Sequence, residues 1–283
     1  MRTGTPSRTA LAAATHRAAH QVIEGGRIFA DPLALRILGQ DAEAVAREAE
    51  QDPSRRLMQL FIAVRTRFAE DALAAAVERG VSQLVVLGAG LDTYAYRSPF
   101  GAQFRVFEVD HPATQAWKRQ RLEEAAIPLP DTLTFAPVDF ERQTLAEGLA
   151  AAGFDPGYRT FFTWLGVVPY LTEEAAWSTL GYIAGIPGGE HVVFDYSDPP
   201  GTLAPETRAY HDRHAARVES LGEAWVTYFE AAALRTRLEA LGFTEVEDLG
   251  PAQIAARYFA LRAAAQRERG GHIVRASRLP LGG

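Results

Sequence analysis

The 283-residue sequence predicts an α/β fold built on a doubly wound, mostly parallel sheet of seven strands. Short apolar runs with β-branched centres alternate with helical patterns from about residue 80 onward. The first run, Leu84-Val85-Val86-Leu87, leads directly into Gly88-Ala89-Gly90. A second strand-like run ends in an acidic residue, Asp110, about twenty residues after the glycines. These observations are typical of a sheet that binds a ligand at its strand ends.

The strands and helices of this sheet can be placed approximately along the chain. Strand-like runs lie at 84–88, 104–109, 133–138, 159–165, 190–196, 243–249 and 271–277. Helical runs lie between them at 112–126, 141–152, 172–185, 229–241 and 251–265. Alternation of this kind favours parallel pairing, and we expect the strand at the carboxyl terminus to lie antiparallel at the edge of the sheet.

We expect a single domain over 1–283 with four parts. Two Asp-Pro pairs, at 31–32 and 52–53, predict helix starts before the sheet, because Asp caps a helix and Pro suits its first turn. Residues 7–40 are expected to be helical with a break at Gly25-Gly26, and the helix after the second pair to run to about Glu78. The parts are a helical cap (1–79), a cofactor-binding core (80–196), a lid insert with a helix at about 205–220 (197–228), and C-terminal helices and edge strands (229–283).

The composition narrows the functional classes. With 47% hydrophobic and 23% charged residues, the chain is that of an ordinary soluble globular protein. A net charge of −6 gives no electrostatic argument for nucleic acid or an anionic membrane, and no apolar run approaches the roughly 20 residues that a membrane span needs. The absence of cysteine excludes disulfides and a cysteine nucleophile, and we expect a cytoplasmic protein.

The glycine loop and the acidic residue together predict a nucleoside site. Glycines at 88 and 90 allow a sharp turn and a close approach of the backbone to a ligand. A carboxylate at Asp110 can accept hydrogen bonds from both ribose hydroxyls. An NAD-dependent oxidoreductase shares these features and is the alternative, although Thr93 stands where the third glycine of the dinucleotide fingerprint falls.

Several motifs in the same order resemble the leucine carboxyl methyltransferase family. The loop Gly88-Ala89-Gly90-Leu91-Asp92-Thr93 with Tyr96-Arg97, and Phe107-Glu108-Val109-Asp110-His111-Pro112 with Lys118, are similar to two of its segments. Further similar segments lie at 31–34, 65–71 and 165–172. The resemblance, which runs from about residue 8 to the carboxyl terminus, implies the bacterial branch with its polyketide O-methyltransferases. It also implies S-adenosylmethionine as cofactor and the Rossmann-like class I methyltransferase fold, with which seven strands agree.

The resemblance also implies roles for individual residues. Arg65 would bind the carboxylate of the methionine moiety, as a guanidinium can in a bidentate pair. Leu165 stands where many members of the family have a glutamate that contacts the cofactor, and Trp164 beside it can compensate by packing on the cofactor. The predicted cofactor-binding residues are Arg65 and Gly88 at the methionine moiety, Asp110 at the ribose, Asp139 and Phe140 at the adenine, and Ala89, Gly90, Trp164 and Leu165.

We therefore predict an O-methyltransferase of secondary metabolism that acts on a carboxylate or hydroxyl of a small molecule. A carboxylate, with a pKa near 4, needs no base, whereas a phenol, with a pKa near 10, does. Candidate bases in or near the insert are His211, His214 and Asp195, and candidate substrate contacts are Tyr170, Tyr196, Tyr210 and Trp225. A non-catalytic S-adenosylmethionine-binding protein is a further alternative, motivated by Leu165.

The same two histidines raise the question of a metal. His211 and His214 are spaced i, i+3 on the predicted insert helix and can share a metal ion, but the sequence offers no evident third ligand. We therefore predict no metal site.

Overall fold

The computed structural model describes residues 7–140, 142–259 and 269–278. Its α-helices within these residues are α1 (Arg8–Ile23), α2 (Ala34–Leu38), α3 (Ala42–Gln51), α4 (Arg56–Val77), α5 (Pro112–Glu124), α6 (Leu145–Ala151), α7 (Glu173–Gly185), α8 (Pro205–Ser220), α9 (Ala231–Ala240) and α10 (Pro251–Phe259). Its strands there are β1 (Gln83–Leu87), β2 (Arg105–Asp110), β3 (Leu133–Pro137), β4 (Thr160–Trp164), β5 (Gly189–Ser197), β6 (Glu245–Leu249) and β7 (Gly271–Ser277).

The described strands form one seven-stranded sheet in the order β3-β2-β1-β4-β5-β7-β6. The pairs β2–β3, β1–β4 and β4–β5 are parallel, whereas β7 runs antiparallel to both β5 and β6. The predicted doubly wound, mostly parallel fold is therefore confirmed. The expected edge position of the last strand is wrong, because β7 lies between two strands and β6 forms that edge. The burial of these two strands agrees with the order. Ile273, Val274 and Ala276 of the central strand β7 are fully buried, whereas most of the edge strand β6 is half-buried.

The chain forms two compact units, the first comprising Met1–Phe68 and Gly88–Phe154. Its core contains small residues of α1, which allow the close approach of neighbouring helices. Buried members of this core are Ala14, Ala18, Ile37, Leu91 and Leu122. The amino-terminal helices thus pack with α5 and with the segment that follows the glycine loop.

The second unit comprises Ala69–Leu87 and Asp155–Gly283. All residues of β1, β4 and β5 are buried, as expected for central strands covered on both faces. The predicted insert helix is confirmed as α8, which buries only Thr207, His211 and Val218. This helix is therefore held by few side chains.

Helix boundaries differ from the sequence prediction where capping decides them. Helix α6 begins at Leu145 rather than 141, because Thr144 caps it and shares a capping box with Glu147. Helix α3 was not predicted; its apolar face consists of alanines and Val45, of which only Val45 is buried. The predicted helix 251–265 is observed as α10, and 260–265 lie outside the described residues. None of the described helices is long and apolar enough to cross a membrane.

Candidate cofactor and acceptor sites

The glycine loop after β1 has a backbone that favours glycine. Gly88 has φ 65° and Gly90 φ 45°, both in the left-handed region. The N–H of Ala89 donates to the carbonyl of Val109 at 3.0 Å, which ties the loop to the end of β2. A Cβ at Gly90 would lie 2.8 Å from the Cβ of Ala10 in α1, so even a methyl group has no room there.

Asp110 is fixed at the end of β2 by two backbone hydrogen bonds. Its Oδ2 accepts from the N–H of Gly90 at 2.6 Å and its Oδ1 from the N–H of His111 at 2.7 Å. Burial raises the pKa of Asp110, against the effect of these two bonds, which favour the anion. Each oxygen keeps a second lone pair, so the carboxylate can still accept two hydroxyl hydrogens. Loop and carboxylate together fit the ribose end of a nucleoside.

A buried ion pair joins helix α5 to the end of β2. Nζ of Lys118 on α5 lies 2.6 Å from Oε2 of Glu108 on β2, and both side chains are almost completely buried. Gln115 donates to the backbone carbonyl of Glu108 at 2.7 Å. Burial raises the pKa of Glu108 to about 7, although the charge of Lys118 opposes the rise. Both residues lie in one sequence motif, but their pairing does not follow from the motif.

A second buried cluster joins the amino-terminal helices to the segment after the glycine loop. Arg17 on α1 lies 3.3 Å from Asp31 and also donates to the carbonyl of Leu91. Thr93 donates to Asp31 at 2.7 Å, and Nε of Arg97 donates to Thr93 at 3.1 Å. We call Arg17, Asp31, Thr93 and Arg97 the Asp31 cluster. The sequence motifs contain Asp31, Thr93 and Arg97, but nothing in the pattern pointed to Arg17.

The remaining cofactor candidates of the first unit lie at two places. Arg65 is buried on α4, with 8% of its surface exposed. Asp139 and Phe140 follow β3; Oδ2 of Asp139 lies 3.5 Å from Nε of Arg142. The ring of Phe140 is 60% exposed, which is unusual for a phenylalanine and leaves its surface accessible for stacking. Their roles toward a cofactor stay predictions.

In the second unit, the end of β4 is held by Asp195 of β5. Its Oδ1 accepts from the N–H of Gly166 at 2.6 Å, so this candidate base holds a loop. Trp164 is buried with its ring 6.2 Å from that of Phe194, and Leu165 beside it is half-buried. As Trp164 packs in the interior, only Leu165 of this pair has appreciable exposure.

Another candidate, Tyr196, belongs to a buried polar network at the end of β5. Its hydroxyl donates to Asp248 at 2.6 Å and its ring stacks on His272 at 4.7 Å. The ring nitrogens of His272 lie 2.8 Å from Asp248 and 3.0 Å from Asp198. Burial alone would lower the pKa of His272, but the bonds to Asp198 and Asp248 outweigh it and raise the pKa to about 9. We call these four residues the His272 network; sequence reasoning did not find it.

The other acceptor candidates form an aromatic cluster around α8. The ring of Trp225 lies 5.4 Å from His211, 5.0 Å from His214 and 6.5 Å from Tyr170. Tyr228 lies 5.5 Å from His211. Tyr210 is half-buried on the same helix. Within the described ranges, no group of three or more His, Asp or Glu side chains is arranged to hold a metal ion.

The fold is that of an α/β protein with a mostly parallel sheet, a class that binds ligands at the carboxyl ends of its strands. The model of the leucine carboxyl methyltransferase family matches residues 10–184, which is more than half of the chain. The chain belongs to this family.

Individual relatives of this chain support its membership of the family. A protein of Bacillus subtilis (strain 168), YktD, named as a candidate S-adenosyl-L-methionine-dependent methyltransferase, is 30% identical over 93% of this chain and 94% of its own length. A protein of Parafrankia sp. with the same description is 37% identical over 60% of this chain and 56% of its own. Among solved structures, a duf574 family protein from Streptomyces avermitilis has a TM-score of 0.53 at 16% identity, covering 94% of this chain and 97% of that one. The structural likeness concerns the fold.

Proposed function

We propose that this chain transfers the methyl group of S-adenosylmethionine to an oxygen of a small-molecule metabolite. Membership of the family makes the chain an S-adenosylmethionine-dependent methyltransferase, which replaces the NAD alternative. The oxygen acceptor and its small size are the proposed part. The observation that carries the proposal is Asp110, held by Gly90 and His111 with lone pairs to spare.

Residues of the first unit would hold the cofactor. Asp110 would accept the ribose hydroxyls, and the backbone between Gly88 and Gly90 would lie against the methionine moiety. Arg65 would pair with the cofactor's carboxylate, since a guanidinium matches a carboxylate in shape and charge. Phe140, already exposed, would cover one face of the adenine. When bound, S-adenosylmethionine supplies a methyl group activated by the positive charge on its sulfur.

The chain's own task is then to position an acceptor oxygen in line with that methyl group. Such positioning can contribute on the order of 7–11 kcal/mol to a reaction. The family is named for methylation of a carboxyl group, which supports oxygen as the acceptor atom. The aromatic cluster around α8 supports a small, flat acceptor. We place the reaction in secondary metabolism, as the resemblance to polyketide O-methyltransferases implies, and in the cytoplasm, which a sequence without cysteine favours.

Calorimetric titration with S-adenosylmethionine, S-adenosylhomocysteine and NAD tests the cofactor. We expect both sulfur compounds to bind and NAD not to bind. Binding of NAD alone would overturn the assignment.

Incubation with labelled S-adenosylmethionine and a panel of carboxylic acids, phenols and amines tests the acceptor atom. We expect label in an ester, which alkali hydrolyses, or in an alkali-stable ether. Label confined to amine products would refute O-methylation, and binding without any transfer would favour the non-catalytic alternative.

A further inference from the structure

The segment that follows the glycine loop is held at two points by side chains from the amino-terminal part of the chain. Arg17 on α1 donates to the backbone carbonyl of Leu91, and Asp31 accepts a hydrogen bond from Thr93 at 2.7 Å. Leu91 and Thr93 come directly after the loop. The backbone at the exit of the loop is therefore fixed by residues that stand 74 and 62 positions earlier in the chain.

The chemistry of the Asp31 cluster fixes the direction of its hydrogen bonds. Nε of Arg97 can only donate, and it donates to the hydroxyl of Thr93 at 3.1 Å. The single hydroxyl hydrogen of Thr93 then goes to Oδ2 of Asp31, which also accepts from Nε of Arg17 at 3.3 Å. Oδ1 of the same carboxylate accepts from the N–H of Leu33 at 3.0 Å. One fully buried carboxylate therefore joins α1 to the exit of the glycine loop.

Helix α1 depends on Arg17 for its attachment as well as on apolar contacts. The buried apolar side chains of α1 are all alanines, Ala14, Ala18 and Ala19, and a buried methyl group stabilises less than a larger side chain does. The side chain of Arg17 is itself almost completely buried against the carboxylate of Asp31. Removing one partner of such a pair leaves a buried charge without compensation. The docking of α1 therefore depends on the Asp31 cluster.

The first turn of α1 also packs closely on the glycine loop. A Cβ placed on Gly90 would lie 2.8 Å from the Cβ of Ala10, so helix and loop leave no space between them there. Ser7 caps this turn, and its hydroxyl accepts a hydrogen bond from the N–H of Ala10 at 3.1 Å. Movement of α1 would therefore remove the packing at Gly90 and the hydrogen bond to Leu91 together.

We propose that Arg17, Asp31 and Thr93 are positioning residues for the cofactor, because they hold the glycine loop in the conformation that binds it. The inference rests on the proposed contact between this loop and S-adenosylmethionine. The three side chains act through Gly90 and Leu91 and are assigned no contact with the cofactor. If the loop adopts the binding conformation for only a fraction of the time, the affinity falls by that fraction. By linkage, the bound cofactor favours the docked state of α1.

Calorimetry with S-adenosylhomocysteine on the full chain tests the positioning role. Thr93→Val keeps the shape of the side chain but loses the hydroxyl, and we expect it to weaken binding about fivefold or more. Thr93→Ser keeps the hydroxyl and should retain most of the affinity. Arg17→Lys keeps the charge but replaces two donor nitrogens by one, and it should weaken binding as well. Circular dichroism verifies that each variant is folded at the temperature of the titration.

Thr160→Val is the matched control. Thr160, at the start of β4, is also fully buried, and its hydroxyl likewise makes one hydrogen bond of each kind. It donates to the carbonyl of Tyr158 at 2.8 Å and accepts from Gln83 at 3.1 Å. Its replacement should lower the free energy of unfolding, as that of Thr93 does, yet leave the affinity for S-adenosylhomocysteine unchanged. A purely structural role of Thr93 would make the two variants alike in affinity.

Hydrogen exchange of α1 gives a second readout, which needs no substitution. We expect S-adenosylhomocysteine to slow exchange of the α1 amides in the parent more than that of the α9 amides, and Thr93→Val to reduce this difference. Failure of S-adenosylhomocysteine to bind the parent, or equal affinities of the parent and Asp110→Asn, would refute the proposed cofactor site itself. If Asp110→Asn binds more weakly, parent-like affinity of Thr93→Val, an equal loss in Thr160→Val, or α1 exchange that the ligand leaves unchanged would overturn the positioning role.

Discussion

The carboxylate of Asp110 accepts a hydrogen bond of 2.6 Å from the backbone N–H of Gly90, twenty residues earlier in the chain. The acid that closes β2 thus orients the loop that follows β1. The same carboxylate has lone pairs left for a ligand. One side chain therefore shapes the glycine loop and completes the proposed ribose site.

Replacement of Asp110 should weaken cofactor binding without unfolding the chain. Asp110→Asn keeps one oxygen and the size of the side chain but loses the charge that strengthens hydrogen bonds. We expect binding of S-adenosylhomocysteine to weaken by about 1.5–3 kcal/mol, as for a lost hydrogen bond to a charged group. Calorimetry measures this, with the exposed Asp131→Asn as control. Equal affinities of both variants would contradict the ribose role.

Replacement of Gly90 should destabilise the chain for two separable reasons. Gly90→Ala places a Cβ 2.8 Å from that of Ala10 and imposes a φ of 45° on an alanine. We expect a loss of about 1–3 kcal/mol in the free energy of unfolding, measured in urea. Adding Ala10→Gly should restore the steric part only. Gly101→Ala, where a Cβ meets nothing within 4 Å, is the control; a similar loss there would refute the argument.

The His272 network should make stability fall in alkaline solution. Hydrogen bonds to Asp198 and Asp248 raise the pKa of His272 to about 9. The stabilisation that protonated His272 provides is therefore complete below its pKa in the unfolded state, near 6.5. The contribution is lost as the pH rises through about 9 and amounts to about 3 kcal/mol at most. We expect the unfolding free energy of the parent to fall between pH 7 and 10 by more than that of His272→Gln. Parallel pH curves would contradict this.

The same network should respond to acid through Asp198. Its pKa is lowered by the hydrogen bond from His272, against the effect of burial. A carboxyl group whose pKa is lowered on folding stabilises the chain at pH values above its pKa in the unfolded state. This stabilisation is lost as the pH falls through its pKa in the folded state. We expect Asp198→Asn to unfold with a weaker acid dependence than the parent, followed by circular dichroism. Asp131→Asn should keep the parent's dependence.

Removing one partner of the buried Lys118–Glu108 pair should destabilise the chain more than removing both partners. Lys118→Met leaves Glu108 buried without its cation, and we expect a loss of about 3–5 kcal/mol in urea unfolding. The double variant with Glu108→Leu removes the charge as well and should recover most of that loss. A double variant as unstable as the single one would show that the pair, and not the unpaired charge, carries the stability.

The sequence predicted those features that depend on neighbours along the chain. The strand that precedes Gly88 and the loop itself follow from local composition, and they are confirmed. The predicted caps at Asp31 and Asp52 are wrong, because α2 begins only at Ala34 and neither carboxylate makes a side-chain cap hydrogen bond to the helical turn that follows it. The central position of β7 was missed, because it depends on pairing with β5 and β6 rather than on its own residues. Helix α3 was missed although Ala42, Val45, Ala46 and Ala49 recur at helical spacing, because alanine contributes little apolar signal.

The buried networks were harder still to predict. Tyr196 and His272 are 76 residues apart in the chain, and Arg17 lies 74 residues before the carbonyl that it contacts. Each residue alone looks like an ordinary aromatic or surface arginine. The sequence predicts a substrate contact at Tyr196 because it is aromatic and stands at the insert, but it does not predict that its hydroxyl donates to Asp248. The roles of the cofactor residues stay predictions.

The Asp31 cluster limits how this chain can be recombined with its relatives. Arg17 and Asp31 come from the first forty residues, whereas Thr93 and Arg97 follow the glycine loop. A chimaera that takes only the amino-terminal segment from another member would place foreign side chains at positions 17 and 31 against the retained Thr93 and Arg97. The four positions must therefore be transplanted as a set.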